Sequence, residues 1–177
     1  MEKTEVHEFA ADVYGPAVFE EVFARYYESV LRALFLLTGD PFEAEELAQE
    51  AFVRIYERRD RLSSSGNVAG YVYRTAVNVR RSRLRRFRMA VGRVGAPPPS
   101  DDGDRFDAID DRDVLRRLLA ELSRGEREAL VLVEWIGMSD REAGDVLGTS
   151  PGAVRTRISR AKGHLRLALT EGADHDD

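Results

Sequence analysis

Residues 139 to 166 read SDREAGDVLGTSPGAVRTRISRAKGHLR, and their punctuation dictates two helices meeting at a tight turn. Ser139 followed three residues later by Glu142 is a capping box, which satisfies two free N–H groups at a helix start. Gly148 stops that helix, since it takes positive φ without strain. Ser150 caps a second helix, and Pro151 suits its first position, where a missing N–H costs nothing. Gly144 lacks a side chain where the two helices have to cross closely. In the second helix Val154, Ile158, Ala161 and Leu165 recur at three- and four-residue steps and make one apolar face. Arg155, Thr156, Arg157, Ser159, Arg160 and Lys162 take the opposite side and its flanks. The pattern predicts a helix-turn-helix whose second helix meets DNA. A basic amphipathic helix is often only a solvated surface; the small residue at the crossing, the glycine turn and the paired caps separate the two readings.

The charge is segregated along the chain. The net charge is −5, but residues 51–95 hold 12 basic and 2 acidic side chains, and residues 148–170 hold 5 basic and none acidic. Residues 1–50 and 96–147 are strongly acidic. Two basic blocks divided by acidic ones predict two separate nucleic-acid contacts, with the acidic blocks suppressing loose binding.

The periodicity is helical throughout and strand signals are nearly absent. A first helix is predicted over 16–38, with Phe19, Val22, Phe23, Tyr26, Tyr27, Val30, Leu34 and Leu37 as its apolar set. Thr38-Gly39-Asp40-Pro41 stops and restarts the chain. The next helix carries the stripe Ala44, Leu47, Ala48, Ala51, Phe52 and Ile55, opposite Glu43, Glu45, Glu46, Gln49, Glu50 and Arg54. A loop at 63–67 precedes a third helix predicted over 68–88. Residues 89–104, which contain the run GAPPPSDDG at 95–103, have no helical pattern and read as a flexible linker. Helical segments at 109–122 and 126–136 then lead into the helix-turn-helix. The expected fold is all-α: two small helical domains joined by a flexible linker, with no internal repeat.

The second basic block is YVYRTAVNVRRSRLRRFR, residues 71–88. Tyr71, Tyr73, Arg74 and Asn78 precede Arg80, Arg81 and four further arginines. Aromatic rings stack on unpaired bases, Asn hydrogen-bonds a base edge, and arginines hold phosphates. The set suits a junction of single- and double-stranded DNA. Val72, Ala76 and Val79 form a core face on the same helix, and Tyr71 fits either the edge of that core or a base contact.

At these residues the chain resembles the extracytoplasmic-function sigma factors, the smallest group of bacterial sigma-70-type initiation factors. DPFEAEELAQEAFVRIY (40–56) resembles their core-polymerase-binding helix, YVYRTAVN (71–78) their minus-10 helix, and LSRGEREALVLVEWIGMSDREAGDVLGTSPGAVRTRISRAKGHLR (122–166) their minus-35-binding domain. The resemblance implies an N-terminal extension at 1–16, region 2 at 17–90, a linker at 91–108, region 4 at 109–170 and an acidic tail at 171–177. It implies polymerase contacts by Glu46, Gln49 and Glu50. Minus-10 contacts are implied for Asn67, Tyr71, Tyr73, Arg74, Asn78, Arg80 and Arg81, with a non-template base flipped into a pocket made by the 63–67 loop. Minus-35 contacts are implied for Arg155, Thr156, Arg157, Arg160 and Lys162. The linker would thread through the polymerase toward the RNA exit path. The implied partners are core RNA polymerase, promoter DNA and an anti-sigma factor. Tyr71 stands where the family usually has Trp, Thr75 where it has an aliphatic residue, and Gly144 where it commonly has Ala.

Other readings are weaker. A helix-turn-helix regulator acting without polymerase accounts for 122–166 but not for the acidic helix or YVYRTAVN. No nucleophile–base pair, phosphate loop or metal-ligand spacing points to an enzyme, a cofactor or a metal, and the chain has no cysteine. A purely protein-binding adaptor does not need such charge segregation. The acidic N-terminus lacks a signal-peptide core and no apolar run is long enough to span a bilayer, so a soluble cytoplasmic protein without membrane insertion is expected. The short tail is expected to carry no large regulatory domain.

Overall fold

The computed structural model describes residues 16–60, 62, 66–94 and 111–173. Among these, every regular element is helical. Helix α1 spans Pro16–Thr38, α2 Pro41–Glu57 and α3 Val68–Val94; α4 spans Asp111–Ala120, α5 Arg124–Leu130, α6 Asp140–Leu147 and α7 Pro151–Ala173. The predicted linker lies outside the described residues except for 91–94, as do residues 1–15, 63–65 and 174–177 of the predicted extension, loop and tail.

The first three helices form one domain. Gly39, at φ 77°, closes α1, and the Asp40 carboxylate accepts from the N–H groups of Phe42 (2.8 Å) and Glu43 (3.1 Å) to open α2. All six apolar positions predicted for α2 are buried. They meet Val22, Val30, Ala33, Leu34 and Leu37 of α1 and Val72, Ala76 and Val79 of α3. Phe19, Phe23, Tyr27 and Phe52 add a ring cluster with centroids 4.6 to 6.5 Å apart. Helix α3 runs six residues past its predicted end. Gly92 lowers helix propensity by only about 1 kcal/mol, and no proline interrupts the chain before Pro97.

The last four helices form the second domain. Ser123 and Glu126 make a capping box at α5, two residues ahead of the predicted helix start. The end of α5 widens into a π-helical turn over Val131–Trp135, with the Ile136 N–H donating to the Val131 carbonyl at 3.0 Å. Gly137, at φ 80°, reverses the chain into α6. Ser139 and Glu142 form the second capping box, Gly148 is left-handed at φ 68°, and the Ser150 hydroxyl accepts from the Ala153 N–H at 3.2 Å. Ala143, Gly144, Val146 and Leu147 pack against Val154, Ile158 and Ala161, while Leu165 is only partly buried.

Gly144 is required by contact. A Cβ there would lie 2.8 Å from the Thr149 carbonyl oxygen. Gly144→Val is therefore expected to destabilise the second domain by about 1–3 kcal/mol through overpacking. Thermal denaturation followed by circular dichroism checks this; an unchanged midpoint would mean that the turn at 148–151 moves aside freely.

Candidate nucleic-acid interface

The recognition helix α7 is held by its apolar face and leaves its basic face outward. Arg155, Thr156 and Arg160 are exposed, and Arg157 is half-buried alongside Gly125. Arg155 reaches the Asp140 carboxylate at 3.3 Å, and Lys162 pairs with Glu134 at 2.7 Å. Both are exposed pairs, which are weak and readily exchanged for phosphate. Thr156 donates its hydroxyl to the Gly152 carbonyl at 3.0 Å. The hydrogen bond from Ser123, then its backbone, holds the Glu126 carboxyl below the usual carboxylate range, against the opposing effect of burial. The same Ser–Glu geometry lowers the exposed Glu142 carboxyl. The caps that set the angle between these helices thus carry ionised carboxylates at neutral pH, beside the positive N-terminal ends of α5 and α6.

Helix α3 presents its predicted residues very differently from one another. Asn78 is exposed and Tyr71 half-buried. Tyr73 is 4% exposed, with its ring edge-on to Tyr26 and its hydroxyl 2.8 Å from that of Ser29. Burial raises its phenol pKa, partly offset by the Ser29 hydrogen bond. Asn67 caps α3, accepting from the Gly70 N–H at 2.7 Å. Arg74, Arg80 and Arg81 turn toward the second domain. Arg74 donates to the Asp145 carbonyl and Arg81 to the Glu128 carboxylate at 2.6 Å, while Arg80 donates to the Leu37 carbonyl of α1 at 2.7 Å and reaches Glu128 at 3.4 Å.

Glu46, Gln49 and Glu50 lie along the outward face of α2. Glu46 pairs with Arg83 at 2.6 Å, Glu50 with Arg54 at 2.5 Å and with Arg86 at 3.6 Å, and Gln49 donates to Glu45 at 3.3 Å. Sequence reasoning missed the apolar residues among them. Phe42, Val53 and Tyr56 are 78%, 57% and 44% exposed. At steps of four, three, four and three, Phe42, Glu46, Gln49, Val53 and Tyr56 form a single stripe, the heptad spacing with which one helix meets another. The steps were present in the sequence, but Phe42 and Val53 are ordinary core candidates until their exposure is known. Glu128 was missed as well: nothing local marks a carboxylate next to Ala129 as the partner of Arg81 and Arg80, 47 and 48 residues away.

The fold defines a protein of two helical domains, one with an outward stripe of apolar and acidic residues on α2 and one with a helix-turn-helix. Residues 22–89 match the family described as sigma-70 region 2, and residues 112–165 match sigma-70, region 4. The RNA polymerase sigma-E factor of Streptomyces avermitilis is 31% identical over 158 residues, covering 89% of this chain and 88% of the relative. The ECF RNA polymerase sigma factor SigE of Mycolicibacterium smegmatis is 30% identical over 176 residues, 95% of this chain and 68% of the relative. The solved structure of CnrH in complex with the cytosolic domain of CnrY superposes with a TM-score of 0.69 at 26% identity, covering 89% of this chain and 90% of that one. The chain belongs to the extracytoplasmic-function sigma factors of the sigma-70 family, proteins of transcription initiation. Among the described residues, no helix is long and apolar enough to cross a membrane.

Proposed function

We propose that this chain binds core RNA polymerase in the cytoplasm, directs it to specific promoters and helps melt the minus-10 element. The observation that carries the reading is the pairing of two recognition surfaces with the stripe on α2. The stripe's alternating apolar and acidic groups suit a basic coiled-coil partner, and a regulator that binds DNA alone has no use for it. The helix starting at Pro151 enters the major groove of the minus-35 duplex, with its first turns at base edges. Asn78, with Tyr71 at the edge of the core, meets the minus-10 strand. The domain limits are 17–90 and 109–170, joined by the 91–108 segment. Polymerase supplies the chemistry and this chain supplies recognition. A further partner is an anti-sigma protein, supported by the 26% identity to CnrH, whose structure holds the cytosolic domain of CnrY.

The test is charge reversal on α2. The ion pairs of Glu46 and Glu50 with neighbouring arginines lie at the surface and contribute under about 1 kcal/mol each to the fold. Glu46→Lys with Glu50→Lys is expected to leave helix content intact and weaken core-polymerase binding by about 3 kcal/mol or more, which abolishes co-purification and run-off transcription. Undiminished co-purification of the double variant would remove α2 as the docking helix.

A further inference from the structure

Three helices send arginines into one cleft. Arg81, Arg85 and Arg88 recur at steps of four and three, so they share one face of α3, where like charges destabilise a helix unless an anion answers them. Arg124 opens α5, and Arg157 stands on α7. The five line a cavity of about 680 Å³, a size common among small-molecule sites. The carboxylate that lines it with them is already engaged. Glu128 is 1% exposed and accepts from Arg81 at 2.6 Å and from Arg80 at 3.4 Å, with Arg124 at 3.9 Å. Among the described residues, no carboxylate pairs with Arg85, Arg88 or Arg157. Gly125 gives Arg157 its room: a Cβ there would lie 3.4 Å from the Arg157 Nε, so the guanidinium rests over bare backbone. Met89 and Leu147 add an apolar edge to the cleft, and Thr149 lines it beside them.

We infer that this cleft binds a compact linear oligophosphate, either free or as the tail of a nucleotide. A cleft lined by one sign of charge focuses its field inward and concentrates counter-ions there. With Arg81 committed to Glu128, the forks of Arg85, Arg88, Arg124 and Arg157 remain for a ligand. A guanidinium holds phosphate oxygens two N–H groups at a time. A single phosphate is too small to engage arginines on three helices at once, whereas a chain of phosphates presents oxygens on every side. Duplex DNA is the poorer fit. Its phosphates follow the outside of a convex cylinder, while these arginines converge on a concavity. The apolar edge at Met89 and Leu147 suits a nucleoside attached to the phosphate chain. The site does not depend on the promoter reading, since Arg85, Arg88 and Arg124 are assigned no promoter contact.

The experiment titrates the full-length protein with inorganic tripolyphosphate and, separately, with ATP, both free of magnesium, by isothermal calorimetry. Saturable binding at a single site is expected, with a melting midpoint that rises with ligand concentration. Orthophosphate at the same ionic strength is expected not to compete. Two double variants remove the site from opposite sides: Arg85→Ala with Arg88→Ala on α3, and Arg124→Ala with Arg157→Ala on α5 and α7. Circular dichroism confirms that each is folded. Each is expected to weaken tripolyphosphate binding about tenfold or more, the scale of losing hydrogen bonds to a charged group. Arg83→Ala with Arg86→Ala removes the same charge from the side of α3 that pairs with Glu46 and Glu50, and is expected to leave binding unchanged. ATP binding more tightly than tripolyphosphate would support the inference and assign the nucleoside to the apolar edge; tripolyphosphate binding as tightly or better would support it with the phosphate chain as the whole ligand. Absence of saturable binding, or an equal loss in the Arg83 and Arg86 variant, overturns the inference. So does a labelled DNA duplex that the same four arginines hold and that tripolyphosphate does not displace.

Discussion

Tyr73→Ala is expected to destabilise the N-terminal domain by about 3–5 kcal/mol, the usual cost of deleting a buried ring. Tyr73→Phe is expected to cost about 1 kcal/mol, the net value of one hydrogen bond. The ring is 4% exposed against Tyr26, and its hydroxyl is 2.8 Å from that of Ser29. Denaturant unfolding of both variants provides the measurement; a loss under about 1 kcal/mol for the alanine variant would show that the ring is not part of the core. The result bears on promoter opening, because any defect of Tyr73→Ala then mixes folding with function. Asn78, exposed on the same helix, gives the clean comparison. Asn78→Ala is expected to leave stability unchanged and to slow opening of duplex promoters. If its role is nucleation of melting, a pre-melted bubble restores the rate; if its role is base capture, both templates suffer.

The recognition helix is expected to divide its basic residues into two kinds. Arg155 and Arg157 lie near its N-terminal end, where such helices meet base edges, and Arg160 and Lys162 lie further along. Arg155→Ala or Arg157→Ala is expected to cost roughly 1–3 kcal/mol at one promoter position and little at others. Arg160→Ala or Lys162→Ala is expected to weaken all promoters alike and reduce the magnitude of the log–log salt slope by about 1. Holoenzyme binding to a library of minus-35 variants separates the two kinds. Equal weakening of every sequence by the Arg155 and Arg157 variants would move base readout elsewhere on α7. Arg155 must first leave Asp140, 3.3 Å away, but an exposed pair of this kind resists by less than about 1 kcal/mol.

Local signals were legible because local chemistry sets them. The Ser139–Glu142 box, the left-handed Gly148 and the caps at Asp40 and Ser150 depend on neighbours within a few residues. The buried stripe of α2 follows from its own 3.6-residue period. Gly144 was readable as a close crossing because the turn between α6 and α7 is too short to separate them. Less legible was the end of α3, where the absence of a strong stop let the helix continue to Val94. The exposure of Phe42 and Val53 was not readable at all, since an apolar residue on a helix does not declare which neighbour covers it. The candidate site divided along the same line: the outward face of α7 followed from periodicity, but the orientation of the arginines on α3 did not.

By itself, then, the sequence determined the helices, most of their ends, the helix-turn-helix and the family, because these reside in short-range capping, periodicity and motif order. Only the tertiary structure decided what each helix presents to solvent and what it gives to its neighbours. Tyr73 became core because Tyr26 and Ser29 of another helix receive it. Arg80 and Arg81 became domain contacts because Glu128 lies 48 and 47 residues away from them in the chain but within 3.4 Å in space. The physical reason is that the most favourable partner of a long charged side chain is set by where distant segments meet, and a low-dielectric contact between domains rewards a pairing that no local pattern encodes.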